Sequence, residues 1–373
     1  MKSLQKNKRA VRRFGKLMKF ATWFQNLPNK MTPPPFRLLQ IGAIFWQSRV
    51  LYVAARLDIA SVIGDDTLSA ETIAERVASD PDAVHRLLRM LASMGIFEQA
   101  GKQFKNNKTS AFLREDNPQC VRAMILMHNS PEMSRPWYEQ LEQGVRTGEV
   151  PFKLTHGEAL YDYMDTHPEF DRLFSRAMDS VEVLLGDAFA TDFDWGRFGR
   201  IIDVGGSKGS KSLSILKHHP NLDALVVDRA QVIEEGKDFW DGKESPALLS
   251  RMHFQPGDVL DSVPAAQDAR DIYLLSAVFH GFDDETCRRA LKNLAAACGD
   301  SGASIAIMEM VLDASQPDYT GTSFDMQMFM GTRGRERTLN EWQHLFSSSG
   351  LALQEVIDLQ SVAKILVLQV AER

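Results

Sequence analysis

The chain has 373 residues, 44% of them hydrophobic and 25% charged, which excludes a disordered or fibrous protein and allows two domains with a sizeable core. Three scattered cysteines, Cys120, Cys287 and Cys298, are too few for a disulfide framework or a zinc site, so a reducing, cytoplasmic setting is expected. Net charge is −6, yet twelve of the 43 Lys/Arg and none of the 49 Asp/Glu precede Asp58, leaving an acidic body without the footprint of a nucleic-acid binder.

The first 37 residues form a basic extension. Ala10, Phe14, Leu17, Ala21 and Phe24 recur at steps of three and four, with Arg9, Arg12, Arg13, Lys16 and Lys19 between them, the pattern of a basic amphipathic helix. Three readings stay open for it: docking on a second copy of the chain, a cleaved organelle-targeting segment, and weak association of residues 9–27 with an anionic membrane surface. Pro33, Pro34 and Pro35 are expected to end the helix in a stiff connector. Residues 38–60 are expected to form one helix, apolar on most sides and covered by a partner chain. No apolar run is expected to reach the ~20 residues of a membrane span.

SAETIAERV, with Ser69 and Thr72 as candidate caps, leads to DPDAVHRLLRMLASMGIFEQAG and KQFKNNKTSAFL. Helix, turn, helix and two short strands make a winged-helix-like domain over 38–118. Only His85, Arg86 and Arg89 offer cations on its second helix, so a packing and dimerisation module is favoured over a DNA reader. Helical residues 131–195 then link to an α/β region, and residues 119–373 are expected to be one catalytic domain with that linker. From Arg200, RIIDV, ALVVD, RMHFQ, DIYLL and SIAIMEM alternate with helical stretches, a parallel sheet covered on both faces, and two more strands end the chain.

Chemistry concentrates at the strand ends. Asp203-Val204-Gly205-Gly206-Ser207-Lys208-Gly209 follows the first strand and lacks the Walker pattern, so a triphosphate is not expected. Asp228 ends the second strand, where a carboxylate can accept from both ribose hydroxyls, and Asp258 follows the third, where an acid can meet an adenine amino group. This set suits a nucleoside cofactor without a phosphate.

The segments GVRTGEVPF, FSRAM, IIDVGGSKG, HGFDDETC, IMEMVLD and GRERTLNEW occur in order. With them the chain resembles, from about residue 40 to its end, the small-molecule O-methyltransferases, the group of plant caffeic acid, animal hydroxyindole and bacterial natural-product enzymes. The resemblance implies a Rossmann-like sheet binding S-adenosyl-L-methionine (SAM), an N-terminal winged-helix-like dimerisation domain, a homodimer, a small-molecule acceptor and no metal. It puts Asp203, Gly205, Gly206, Gly209, Asp228, Asp258, Val259 and Phe282 at the cofactor. His280 matches the family's general base, flanked by Glu309 and Glu336, and Phe174, Met178, Met326 and Phe329 fall at the acceptor. The implied reaction is methyl transfer to a hydroxyl of an aromatic or polyketide-like molecule, with a neutral His280 taking the proton. Departures lie near that centre: Gly281 stands where relatives carry Asp, Ser276 where Lys is frequent, Phe282 where Trp is usual, and Ser207 for the loop's third glycine. They keep C-methylation or non-methylating SAM chemistry open as the alternative. A winged-helix regulator that senses SAM is the reading from another class.

Overall fold

The computed structural model describes residues 2–316 and 318–371. The first helix, α1, runs from Lys2 to Met31. Arg9, Arg12, Arg13 and Lys16 are exposed along it, and so are Leu17, Phe20, Trp23 and Phe24. The side chains of Lys19 and Ala21, part of the same pattern, lie outside the described set.

Three expectations for the next segment are corrected. The prolines do not form a connector: helix α2 (Pro34–Gly42) starts on Pro34, because a first-turn residue needs no N–H partner and has its φ preset. The single helix expected over 38–60 is three, α2, α3 (Ile44–Arg56) and α4 (Ile59–Ile63). The α3–α4 break falls at Asp58, which takes a left-handed φ of 52° and is held there by Ser61 Oγ at 2.8 Å and Arg122 at 3.3 Å. Finally, Pro34–Arg56 is, by length and composition, apolar enough to cross a membrane, contrary to the sequence reading.

The chain divides into two compact units, residues 21–186 and residues 1–20 with 187–373. In the first, β1 (Thr67–Ser69) leads into α5 (Ala70–Arg76), where the Ser69 hydroxyl accepts from the Thr72 N–H at 3.2 Å. Next come α6 (Pro81–Ser93), capped by Asp80, and the hairpin β2 (Phe97–Ala100) and β3 (Gln103–Asn106). The strands pair antiparallel in the order β1-β3-β2. Ile59, Ile63, Ile73, Leu88, Leu91, Phe97 and Phe104 fill the core beneath this wing. Short helices follow and lead into the 18-residue helix Pro168–Leu185.

The second unit holds the large sheet. Its strands are β4 (Arg200–Val204), β5 (Asp223–Asp228), β6 (Met252–Pro256), β7 (Asp271–Ser276), β8 (Ser304–Leu312), β9 (Arg337–Thr338), β10 (Leu351–Asp358) and β11 (Ala363–Val370). The order is β10-β11-β8-β7-β4-β5-β6, with β9 beside the end of β8. Strands β6, β5, β4, β7 and β8 are parallel, and β11 enters antiparallel between β8 and β10. The buried runs of β4 and β7 are what two covered faces demand. The chain leaves β4 toward β5 on one side and returns to β7 on the other. That reversal is a topological switch point, which opens a crevice at the carboxyl ends of β4 and β7.

Leu38, Leu39, Ile41, Ile44, Phe45 and Trp46 are 44–71% exposed in the single chain, an apolar surface that a second copy can cover. Replacing Leu38 and Ile41 with Glu should convert a dimer to a monomer in light scattering at micromolar concentration. A wild-type protein that scatters as a monomer would contradict the dimer.

Candidate functional site

The loop after β4 is bent by need. Gly205 and Gly209 have φ of 73° and 76°, and a Cβ on Gly205 would lie 2.8 Å from Val278 Cγ2. Ser207 also adopts a left-handed φ, 51°, a cost of roughly 1–2 kcal/mol for a residue with a side chain. Its N–H donates to Asp228 Oδ2 at 2.8 Å, and the Arg229 N–H donates to Asp228 Oδ1 at 2.7 Å. Asp228 therefore holds the loop across the crevice while keeping a half-buried carboxylate at the strand end. Asp203 is 1% exposed; its carboxylate lies under Gly206 and accepts from Ser212 Oγ at 2.7 Å. Asp258 is exposed after β6, with Oδ1 accepting from the Leu260 N–H. Val259 is buried in the core, and Phe282 packs partly against the same core. A glycine-bent backbone and acids at two neighbouring strand ends fit a cofactor with free ribose hydroxyls.

Across the switch point, Ala277 takes φ 54°, and the chain then turns so that the Val278 and Phe279 N–H groups both donate to Glu309 Oε1 at 2.9 Å. His280 comes next. Its Nδ1 lies 3.0 Å from Glu336 Oε1 and 3.9 Å from Glu309 Oε2. The glutamate side chains are 1–2% exposed and that of His280 is 25% exposed. No described residue hydrogen-bonds Nε2. The Gly205–Val278 contact sets this turn directly against the loop after β4.

Burial opposes a charge on His280, but Glu309 and Glu336 outweigh it and raise its pKa to about 9. The two acids thus favour the protonated ring in the unliganded chain, and His280 must shed that proton before it can act as the neutral base the sequence reading expects. Burial pushes the Glu309 carboxyl above its ordinary value. The donor atoms of His280, Glu309 and Glu336 lie within 4.8 Å of one another, near enough to surround a cation. Their geometry is that of a proton-holding set, since Nδ1 and Glu336 are at hydrogen-bond length and Glu309 already accepts two backbone N–H groups.

Sequence reasoning missed the residues that hold this turn. Arg337, fully buried, donates to the carbonyls of Phe279 at 3.2 Å and Phe282 at 2.8 Å, and is anchored on Asp284 at 2.9 Å. Asp325 accepts from the Glu336 N–H at 2.9 Å. Gly334 is pressed onto the turn so closely that a Cβ would sit 1.8 Å from the His280 carbonyl oxygen. Both Arg337 and Gly334 stand inside GRERTLNEW, which was the available signal, but only the fold shows what they touch. Of the acceptor candidates, Phe174 and Met178 share a face of the helix Pro168–Leu185, and Met326 and Phe329 lie three apart on the helix Tyr319–Gly331 that carries Asp325.

A glycine-bent, acid-flanked loop on one side of a switch point and a carboxylate-backed histidine on the other fit the working plan of a SAM-dependent methyltransferase. The profile of the O-methyltransferase domain matches residues 138–352, and that of the O-methyltransferase dimerisation domain matches residues 39–116. A phenazine O-methyltransferase of Lysobacter antibioticus is 30% identical over 327 residues, 87% of this chain and 93% of the relative. A phenazine-1-carboxylate N-methyltransferase of Pseudomonas aeruginosa is also 30% identical, over 88% of this chain and 96% of its own. Among solved structures, a mitomycin 7-O-methyltransferase superposes with a TM-score of 0.81 at 27% identity, covering 90% of this chain and 97% of that one. The chain belongs to the O-methyltransferase family: it is a SAM-dependent methyltransferase with the family's dimerisation domain, which supports a homodimer acting on a small molecule.

Gly334→Ala should abolish turnover, because the backbone of His280 must move to admit the methyl group. A variant that folds, by circular dichroism, and turns over at the wild-type rate would show that the turn tolerates displacement.

Proposed function

We propose that the enzyme transfers the methyl group of SAM to a hydroxyl of a small aromatic or polyketide-like molecule, with His280 as general base. The observation that carries the reading is the unbonded Nε2 of His280, fixed beside the cofactor loop while Nδ1 is held by Glu336. When bound, the cofactor would supply an electrophilic methyl on a sulfonium, with Asp228 holding its ribose and Asp258 its adenine. The protein's work is to bring an acceptor oxygen in line and take its proton. In the proposed arrangement Met326 and Phe329 line the acceptor.

As the methyl is transferred, His280 Nε2 would take the proton of the acceptor O–H, and Glu336 would steady the resulting imidazolium. A phenol has a pKa near ~10, so a histidine at about 9 is a well-matched base, provided it has first lost its own proton. Glu309, which grips two backbone N–H groups, anchors the turn as well as adding charge. The P. aeruginosa relative is named for methylation at nitrogen, so an amine or ring nitrogen is the second reading; it needs less from the base when the nitrogen carries no proton. C-methylation stays open alongside it. Product mass spectrometry and NMR, with S-adenosylhomocysteine measured in parallel, assign the methylated atom.

His280→Ala should lower turnover by ~10²–10⁴ while SAM still binds in calorimetry. For the wild type, kcat/KM should climb from pH 7 toward 9, because the base must be neutral to act and its pKa lies near 9. Glu336→Gln removes a negative charge that favours the imidazolium, so the climb should move to lower pH. A flat profile between pH 6 and 9 would remove His280 from the proton-transfer step.

Helix α1 lies ahead of the matched dimerisation domain, which begins at residue 39. Its exposed Leu17, Phe20, Trp23 and Phe24 are read as docking on the second copy, with an anionic membrane surface as the competing occupant. Vesicles rich in phosphatidylserine should leave full-length protein in the supernatant at low salt. Salt-sensitive co-sedimentation, lost on truncation to Pro33, would establish the membrane reading instead.

A further inference from the structure

The loop after β4 carries Ser207 and Lys208 at its tip, with Ser207 in a left-handed conformation that a side chain resists. Something outside the loop must hold it. One contiguous segment does so from both ends. At its start, Asp228 accepts from the Ser207 N–H at 2.8 Å. The helix Ala230–Phe239 then runs back over the loop. At its end, Trp240 Nε1 donates to the Lys208 carbonyl at 2.7 Å.

Between these ties the helix is closely seated. A Cβ on Gly236 would lie 3.4 Å from Lys208 Cα, 3.4 Å from the Ser207 carbonyl oxygen and 3.2 Å from Phe254 Cε1. A glycine in a helix interior costs ~1 kcal/mol relative to alanine, and here it permits the approach. Phe254 also sits 3.6 Å from a Cβ position on Gly209, so one aromatic ring supports both the loop and the helix. The Lys208 ammonium lies 4.6 Å from the Phe239 ring centroid, and Phe239 meets Trp240 edge-on at 4.8 Å.

We propose that residues 228–240 form a strap over the cofactor loop and that Trp240 is its latch: a positioning residue for SAM that presets the loop by holding the Lys208 carbonyl. Without the indole N–H, residues 207–208 sample other conformations, and binding must bear the cost of ordering them. The inference rests on the reading that residues 205–209 and Asp228 hold the cofactor.

The test is Trp240→Phe, which keeps an aromatic ring and removes the donor, measured beside Asp228→Ala. Calorimetry on the full-length unliganded protein should show the SAM Kd rising about three- to tenfold for Trp240→Phe, the range of one neutral hydrogen bond, and further for Asp228→Ala. Hydrogen exchange at the amides of residues 206–209 should accelerate in Trp240→Phe, and KM for SAM should rise while kcat at saturating SAM stays within twofold. Wild-type affinity in Trp240→Phe with loss in Asp228→Ala overturns the latch alone. Wild-type affinity in both overturns the loop assignment and the latch with it. A lower melting temperature for Trp240→Phe with unchanged Kd makes Trp240 a packing residue and also overturns the proposal.

Discussion

Two buried carboxylates beside one histidine form the constraint around which the catalytic unit is arranged. Glu309 and Glu336 are almost wholly withdrawn from water, and burying negative charge is costly unless it is met by donors or a positive partner. Glu309 is met by the N–H groups of Val278 and Phe279 and Glu336 by the ring of His280, while the Glu336 backbone N–H is fixed by donating to Asp325. The same bonds that satisfy the acids fix the imidazole. Arg337 adds a buried cation that ties the carbonyls on either side of His280 and offsets part of the negative charge.

The parallel sheet decides where this set can act. The reversal of strand order between β4 and β7 brings two loops together at one crevice, and the Gly205–Val278 contact joins them. Positive φ values occur on both sides, at Gly205, Ser207 and Gly209 on one and Ala277 on the other. Strain of this kind persists where surrounding bonds overdetermine it, as those to Asp228, Trp240 and Glu309 do.

Much of this was legible in the sequence because it is local. A strand followed by a glycine loop, an acid 19 residues beyond Gly209, and a histidine after an apolar strand are patterns within short windows. The holders were not legible, because they work across distance. Arg337 reaches carbonyls 55 and 58 residues away, and Trp240 reaches one 32 residues away, so no spacing rule announces them. The raised pKa of His280 was not legible for the same reason: it depends on how completely the fold buries two acids against the ring. At the N-terminus, α1 ends at Met31 ahead of the prolines, but Pro34 starts the next helix rather than a connector, and apolar periodicity gave no sign of the break at Asp58, which a left-handed backbone and two side-chain partners create.

The central claim is that the buried acids favour a protonated His280 in the unliganded protein, so the ring must lose that proton before it can take the acceptor's. An NMR titration of the His280 ring, assigned by comparison with His280→Gln and followed through its 13C and 15N shifts in the unliganded protein, measures this directly. The account predicts an inflection near pH 9. A ring that titrates at or below 6.5, the ordinary histidine range, would contradict it.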